Sequence, residues 1–151
     1  MKRMRLLACG ALLIAGCNAA DAKPAHILSP LQSTADNRLI AKLKTDNPGS
    51  LCALASSDGH ALLMSFGERA VVDVGGTPSL LSYHPAADGE GASFTGRSIR
   101  VSGPLARRTV TDIGKTISHD VTVDIVAGRH SEHLAATWTC QADLLTVRVI
   151  Q

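Results

Sequence analysis

Across residues 117–126 the chain alternates without a break. Ile117, His119, Val121, Val123 and Ile125 fall on one side, while Ser118, Asp120, Thr122 and Asp124 fall on the other. Successive side chains of a strand point to opposite faces, so this pattern predicts an antiparallel strand with one face buried and one in water. Leu134, Ala136, Trp138 and Cys140 share a parity in the run that follows, and residues 127–130 between them read as a turn.

Strand-length runs recur through the rest of the chain, at 50–56, 60–66, 69–74, 77–83, 93–101, 108–113 and 144–150. They are separated by Ser57-Asp58-Gly59, Gly67-Glu68, Gly75-Gly76 and a loop at 84–91 rich in Gly, Asp and Pro. Asp-Gly and Gly-Gly suit tight hairpins, because glycine reaches positive φ at no steric cost. Many short strands at even spacing predict a mainly β fold, an antiparallel sandwich or small barrel. One helix is expected ahead of them at 30–44, where Leu31, Ala35, Leu39 and Leu43 recur every four residues and Ile40 widens the stripe. Ser29 before Pro30 suits its start, and Asp46-Asn47-Pro48-Gly49 its end.

The first residues address the chain. Lys2, Arg3 and Arg5 precede an apolar run over 6–15. That run is too short to span a hydrocarbon core, which needs roughly 20 helical residues, and it has the layout of a removable export signal. Leu13-Ile14-Ala15-Gly16-Cys17 resembles the lipobox of bacterial lipoproteins. The resemblance covers the first 17 or 18 residues. It implies cleavage after Gly16, a diacylglyceryl group on the Cys17 thiol and acylation of the new amine. Several chains make sense physically, since one acyl chain binds a membrane only marginally. Asn18, where inner-membrane retention in that family favours Asp, implies the outer membrane, facing the periplasm. Residues 1–16 are thus expected to be signal, 17–30 a polar tether in which His26 stands in solvent, and 31–151 a single β-rich domain of about 120 residues.

Four cysteines are present. Cys9 leaves with the signal and Cys17 takes the lipid, which leaves Cys52 and Cys140 as an even pair in an oxidising compartment and predicts a disulfide between them. Two free thiols serving a metal or redox chemistry are the alternative, but neither lies in a C-x-x-C.

The precursor has 15 Lys and Arg against 13 Asp and Glu, yet loss of the signal removes three cations and leaves a near-neutral chain. No basic field remains for nucleic acid. Aromatic residues make up 3% of the chain, so the core must come from Leu, Val, Ile and Ala, and there is no platform for stacking bases or sugars.

Catalytic motifs were sought. The chain has no G-x-S-x-G elbow, H-E-x-x-H, S-x-x-K or phosphate loop. Asp120 and Asp124 would stand roughly 13 Å apart on a strand, beyond the usual glycosidase spacings. His130, Glu132 and His133 are the candidate metal ligands, with His60, His84 and His119 available as further ligands. In an extended segment, however, His130 and His133 point to opposite faces, which favours a polar hairpin. His119 is expected on the buried face of its strand. Arg97, Arg100, Arg107 and Arg108 form the one basic concentration, a candidate contact for an anionic partner or a charged strand edge.

These readings converge on a non-enzymatic envelope lipoprotein without a cofactor. It would be held to the membrane through Cys17 and would bind an envelope protein or peptidoglycan. A metal-binding periplasmic protein is an alternative. Another is an inhibitor of a cell-wall hydrolase: the layout is similar in outline to the periplasmic lysozyme inhibitors, which include lipid-anchored small β barrels with a cysteine pair. Val101-Ser102-Gly103-Pro104 shares only Ser and Gly with the inhibitory loop of that family.

Overall fold

The computed structural model describes residues 26–47, 51–108, 110 and 114–141. The signal, Cys17, most of the tether and the strand expected at 144–150 lie outside the described residues.

A helix, α1 (Thr34–Asp46), precedes eight strands: β1 (Leu51–Ala55), β2 (Ala61–Phe66), β3 (Arg69–Val74), β4 (Thr77–Pro85), β5 (Ala92–Thr95), β6 (Ile99–Gly103), β7 (Thr116–Ala127) and β8 (His130–Gln141). Each strand pairs antiparallel with the next, and β8 returns to pair with β1, which closes an up-and-down barrel. The sandwich alternative is thereby excluded. Closure removes the free edges that an open sheet must protect. The turns β1–β2, β3–β4, β5–β6 and β7–β8 define one rim, here the upper rim; the remaining connections define the lower. Gly75 and Gly76 both take positive φ, +61° and +89°, the requirement of the tight β3–β4 hairpin.

The interior follows the alternation. Leu54, Leu63, Val72, Leu81, Phe94, Val101, Val123, Ile125 and Trp138 are buried side by side within it. Phe94 bridges Tyr83 and Trp138 at centroid separations of 5.3 and 5.9 Å, so three of the four aromatic rings form one stack. At the β1–β2 pair a bulge between Leu54 and Ala55 leaves Leu62 as the extra residue, and it too is buried.

α1 lies on the outside, over β2 and β3. Its Leu43, with Leu39 and Ile40, covers Phe66 and Val71, which face outward and are nonetheless buried. The helix starts later than the Ser29-Pro30 pair predicted. Ser33 is the N-cap, in a reciprocal capping box with Asp36. In consequence Ala35, expected on the apolar stripe, is exposed, and Asp36 is buried in its place.

Three further expectations change. Residues 93–101 are not one strand but the hairpin β5–β6, folded at Gly96-Arg97-Ser98. A Cβ on Gly96 would sit 2.6 Å from Leu81 Cδ2 and 2.9 Å from the Leu80 carbonyl, so only glycine lets the backbone pass. Arg108 and Val110, the described part of the 108–113 candidate, lie outside any strand. Residues 26–30, grouped with the tether by composition, belong to the fold. Leu28 is 1% exposed within the interior cluster, the Ile27 N–H donates to Glu132, and the Ser29 N–H donates to the Asp73 carbonyl at 2.8 Å.

Candidate functional site

Both mouths of the barrel are stopped by the chain itself. Across the upper rim, residues 27–31 run from Glu132 on β8 past Asp73 on β3 to the Ala61 carbonyl on β2, which accepts from the Leu31 N–H at 2.8 Å. Leu28 fills the opening beneath. At the lower rim, the segment after β6 folds inward and buries Leu105 and Val110. Trp138 Nε1 donates to the Ala106 carbonyl at 3.1 Å, and the Arg107 N–H donates to the Tyr83 hydroxyl at 3.2 Å, which ties that segment to β8 and β4. The Arg107 guanidinium stacks 4.5 Å over the Tyr83 ring. Side chains fill the interior, so the surfaces offered to a partner are the outer wall and the rims.

The outer wall carries a groove of 440 Å³ over the middle of β7 and β8, lined by Asp120, Thr122, Ala135 and Thr137, with Ser57 from the β1–β2 turn and Pro104 from the end of β6. Its residues are the polar half of the alternation read from sequence, paired across the hairpin: Asp120 opposite Thr137, Thr122 opposite Ala135. Thr137 Oγ1 donates to Asp120 Oδ1 at 3.2 Å, and one step below, the Ser118 and Thr139 hydroxyls share a 2.6 Å hydrogen bond. Gly103, which leads into Pro104, sits so close that an added Cβ would lie 3.1 Å from the Thr122 carbonyl. The arrangement is a shallow surface of small hydroxyl, methyl and carboxylate groups, suited to hydrogen-bonding another surface rather than to enclosing a small molecule.

The candidate metal ligands do not converge. Glu132 turns to the upper-rim segment, binding His26 Nδ1 and the Ile27 N–H, so His26 is engaged rather than free in solvent. His133 pairs with Asp124 across the hairpin, and His130 stands exposed opposite Ala127. Among the described residues no group of three metal-ligating side chains forms. His60 faces Asp58 in its own turn, and His84 is exposed near the end of β4. His119 is a correction: its parity matches Val121, but it is exposed, with Nε2 3.3 Å from the Pro104 carbonyl. β7 runs on below the part of the barrel where its inward residues are covered, and Ile117 is likewise 43% exposed. The four arginines divide between the rims. Arg97 and Arg100 belong to the upper end of β6, whereas Arg107 and Arg108 follow its lower end, with Arg108 3.3 Å from Glu90.

One polar pair went unnoticed in sequence. Asp36 and Asp73, both buried, meet where α1 begins over β3. Asp36 Oδ2 accepts the Gln32 and Ser33 N–H groups at 3.1 and 2.9 Å, and Asp73 Oδ1 accepts the Gly76 N–H at 2.6 Å. Burial pushes the Asp73 carboxyl above its ordinary range, and the neighbouring Asp36 charge adds to that. Burial acts on Asp36 too, but hydrogen bonds from Ser33, Asp73 and Gln32 outweigh it and hold that carboxyl low. The two neighbouring carboxyls are thus shifted in opposite directions, Asp73 up and Asp36 down, and Asp36 Oδ1 is left buried without a hydrogen-bond partner among the described residues. The Ser33-x-x-Asp36 spacing was the available signal for this clasp, which joins helix to barrel.

No family model, curated protein or solved structure matches the chain.

Proposed function

We propose that the chain is an envelope lipoprotein held through Cys17, and that its barrel serves as a binding module for an envelope protein or cell-wall component, gripping it over the β7–β8 groove. The observation that carries this reading is the filled barrel. Leu28 and Leu105 stop its two mouths, so recognition falls to the outside, where the groove is a formed concavity among the described residues. Affinity capture with the tagged, lipidated protein from envelope extract tests it. One stoichiometric partner that is lost on Ala135→Arg, with the fold retained, supports the reading. A partner that ignores Ala135→Arg, or no partner from either protein or peptidoglycan fractions, removes it.

A hydrolase inhibitor is the sharper form, favoured by one further observation: Ser102-Gly103 ends β6, and Pro104, the next residue, lines the groove. Lysozyme and lytic transglycosylase assays with the purified protein decide this form. Undiminished turnover at saturating protein excludes it.

A further inference from the structure

The upper rim has a charge that the sequence did not assemble. Arg97 lies in the β5–β6 turn and Arg129 in the β7–β8 turn, and the Gly128 N–H donates to the Ser98 carbonyl at 3.3 Å, which holds the two turns together. Arg100, on the adjoining outer face of β6, pairs with Val126 just inside the same rim. All three guanidiniums are exposed, and among the described residues none meets a carboxylate. The neighbouring acids on the same hairpin are occupied, Glu132 by His26 and Asp124 by His133. The lower-rim cations differ: Arg107 is stacked on Tyr83 and Arg108 is paired with Glu90.

This rim is also where the chain enters the fold, with His26 bound at Glu132. If Cys17 carries the lipid, nine residue steps separate it from His26. Those steps span about 30 Å at full extension. The tether therefore confines the point where the chain enters the arginine rim to within about 30 Å of the membrane, so that this rim can reach the surface. Proximity matters, because the attraction of a charged surface fades within about 10 Å in physiological salt. Guanidinium groups match phosphate oxygens in charge and geometry.

We propose that Arg97, Arg100 and Arg129 form a contact for anionic phospholipid headgroups, which turns the barrel upper rim down on the membrane that anchors it. This rests on the anchor reading above and extends it from attachment to orientation.

The test uses the full chain carrying Cys17→Ser, which cannot be lipidated, and measures its partition onto phosphatidylcholine vesicles with and without phosphatidylglycerol. The same chain with R97Q, R100Q and R129Q is the probe, and one with R107Q and R108Q is the control; all share the same N-terminal residues, so differences report the arginines. Each arginine near such a surface contributes about fivefold to partition, so the triple variant should bind phosphatidylglycerol vesicles about a hundredfold less tightly. The loss should disappear in high salt, and the control should bind as the parent does. Equal partition of triple variant and parent overturns the proposal, as does an equal loss in the control. Arginine-dependent capture of an acidic protein with unchanged vesicle binding assigns the rim to that protein and also overturns it. The mass of the wild-type protein from envelopes tests the anchor separately, since absence of lipid on Cys17 removes that reading whatever the vesicles show.

Discussion

Cys52 of β1 and Cys140 of β8 stand directly opposite each other, Cα atoms 4.0 Å apart, and their disulfide crosses the seam where the first strand meets the last. Every other strand contact in the barrel joins neighbours along the chain; this one closes a loop of 88 residues.

Reduction should therefore weaken the barrel at its least local contact. In the chain-entropy view, a loop of that length is worth at most about 4–5 kcal/mol. Urea unfolding with and without reductant, or of C52A/C140A, should show a lower midpoint by a corresponding amount. Trp138, the only tryptophan, lies inside the barrel and provides the fluorescence signal. Unchanged midpoints would show that strand pairing alone holds the seam.

Leu28 is expected to behave as a core residue despite its place in a polar N-terminal stretch. Leu28→Ala should cost about 2–5 kcal/mol, as large-to-small changes in a packed interior do. Glu132→Gln should cost less, because it keeps an acceptor for the Ile27 N–H. A Leu28→Ala protein as stable as wild type in thermal melts would mean that the upper segment does not seal the barrel.

The Asp36–Asp73 pair predicts a particular pH dependence. Asp73 has its carboxyl raised by folding, so folding takes up a proton there, and stability falls as pH climbs from 3.8 through the raised value. Asp36 is lowered, so its contribution is present above 3.8 and disappears as pH falls through its folded value. Asp73→Asn keeps an NH₂ donor toward Asp36 and an oxygen for the Gly76 N–H, yet has no charge to acquire. The variant should lose the decline on the alkaline side and match or exceed wild type at neutral pH in urea titrations. A variant destabilised at neutral pH and at pH 4 alike would contradict the raised Asp73 carboxyl.

At the lower rim, Trp138→Phe removes the Nε1 hydrogen bond to the Ala106 carbonyl while keeping a ring against Phe94. Leaving that buried carbonyl unpaired should cost about 1–3 kcal/mol. Amide exchange around residues 105–108 should quicken more than exchange in β2 or β3. A uniform increase across the barrel would instead indicate general loss of packing.

Much of the barrel was legible because alternation is a local property. The β7 pattern, the β8 parity and the turns at Gly59, Gly67 and Gly75-Gly76 all stand where they were read. Closure was not legible, since pairing between β1 and β8 is set by how the sheet coils and leaves no trace in either strand alone. The Thr95-Gly96-Arg97-Ser98 turn was present in the sequence but masked by apolar residues on both sides of it. Leu28 was missed because two apolar residues make no period. His119 was misplaced because alternation gives a direction and not a depth: β7 continues past the part of the barrel that covers its inner face. Of the site, the polar residues over β7 were read correctly as solvent-facing. The groove needs Ser57 and Pro104, distant residues that only folding brings to it.

The upper segment also has a mechanical meaning. Its polar links go to three different strands, Ile27 to β8, Ser29 to β3 and Leu31 to β2, with Leu28 seated among them. A pull applied ahead of His26 meets the Ile27 link first, then Leu28 and Ser29, then Leu31. Each must give way in turn before tension passes through α1 to β1, so the segment stands as a series of sacrificial ties ahead of the sheet.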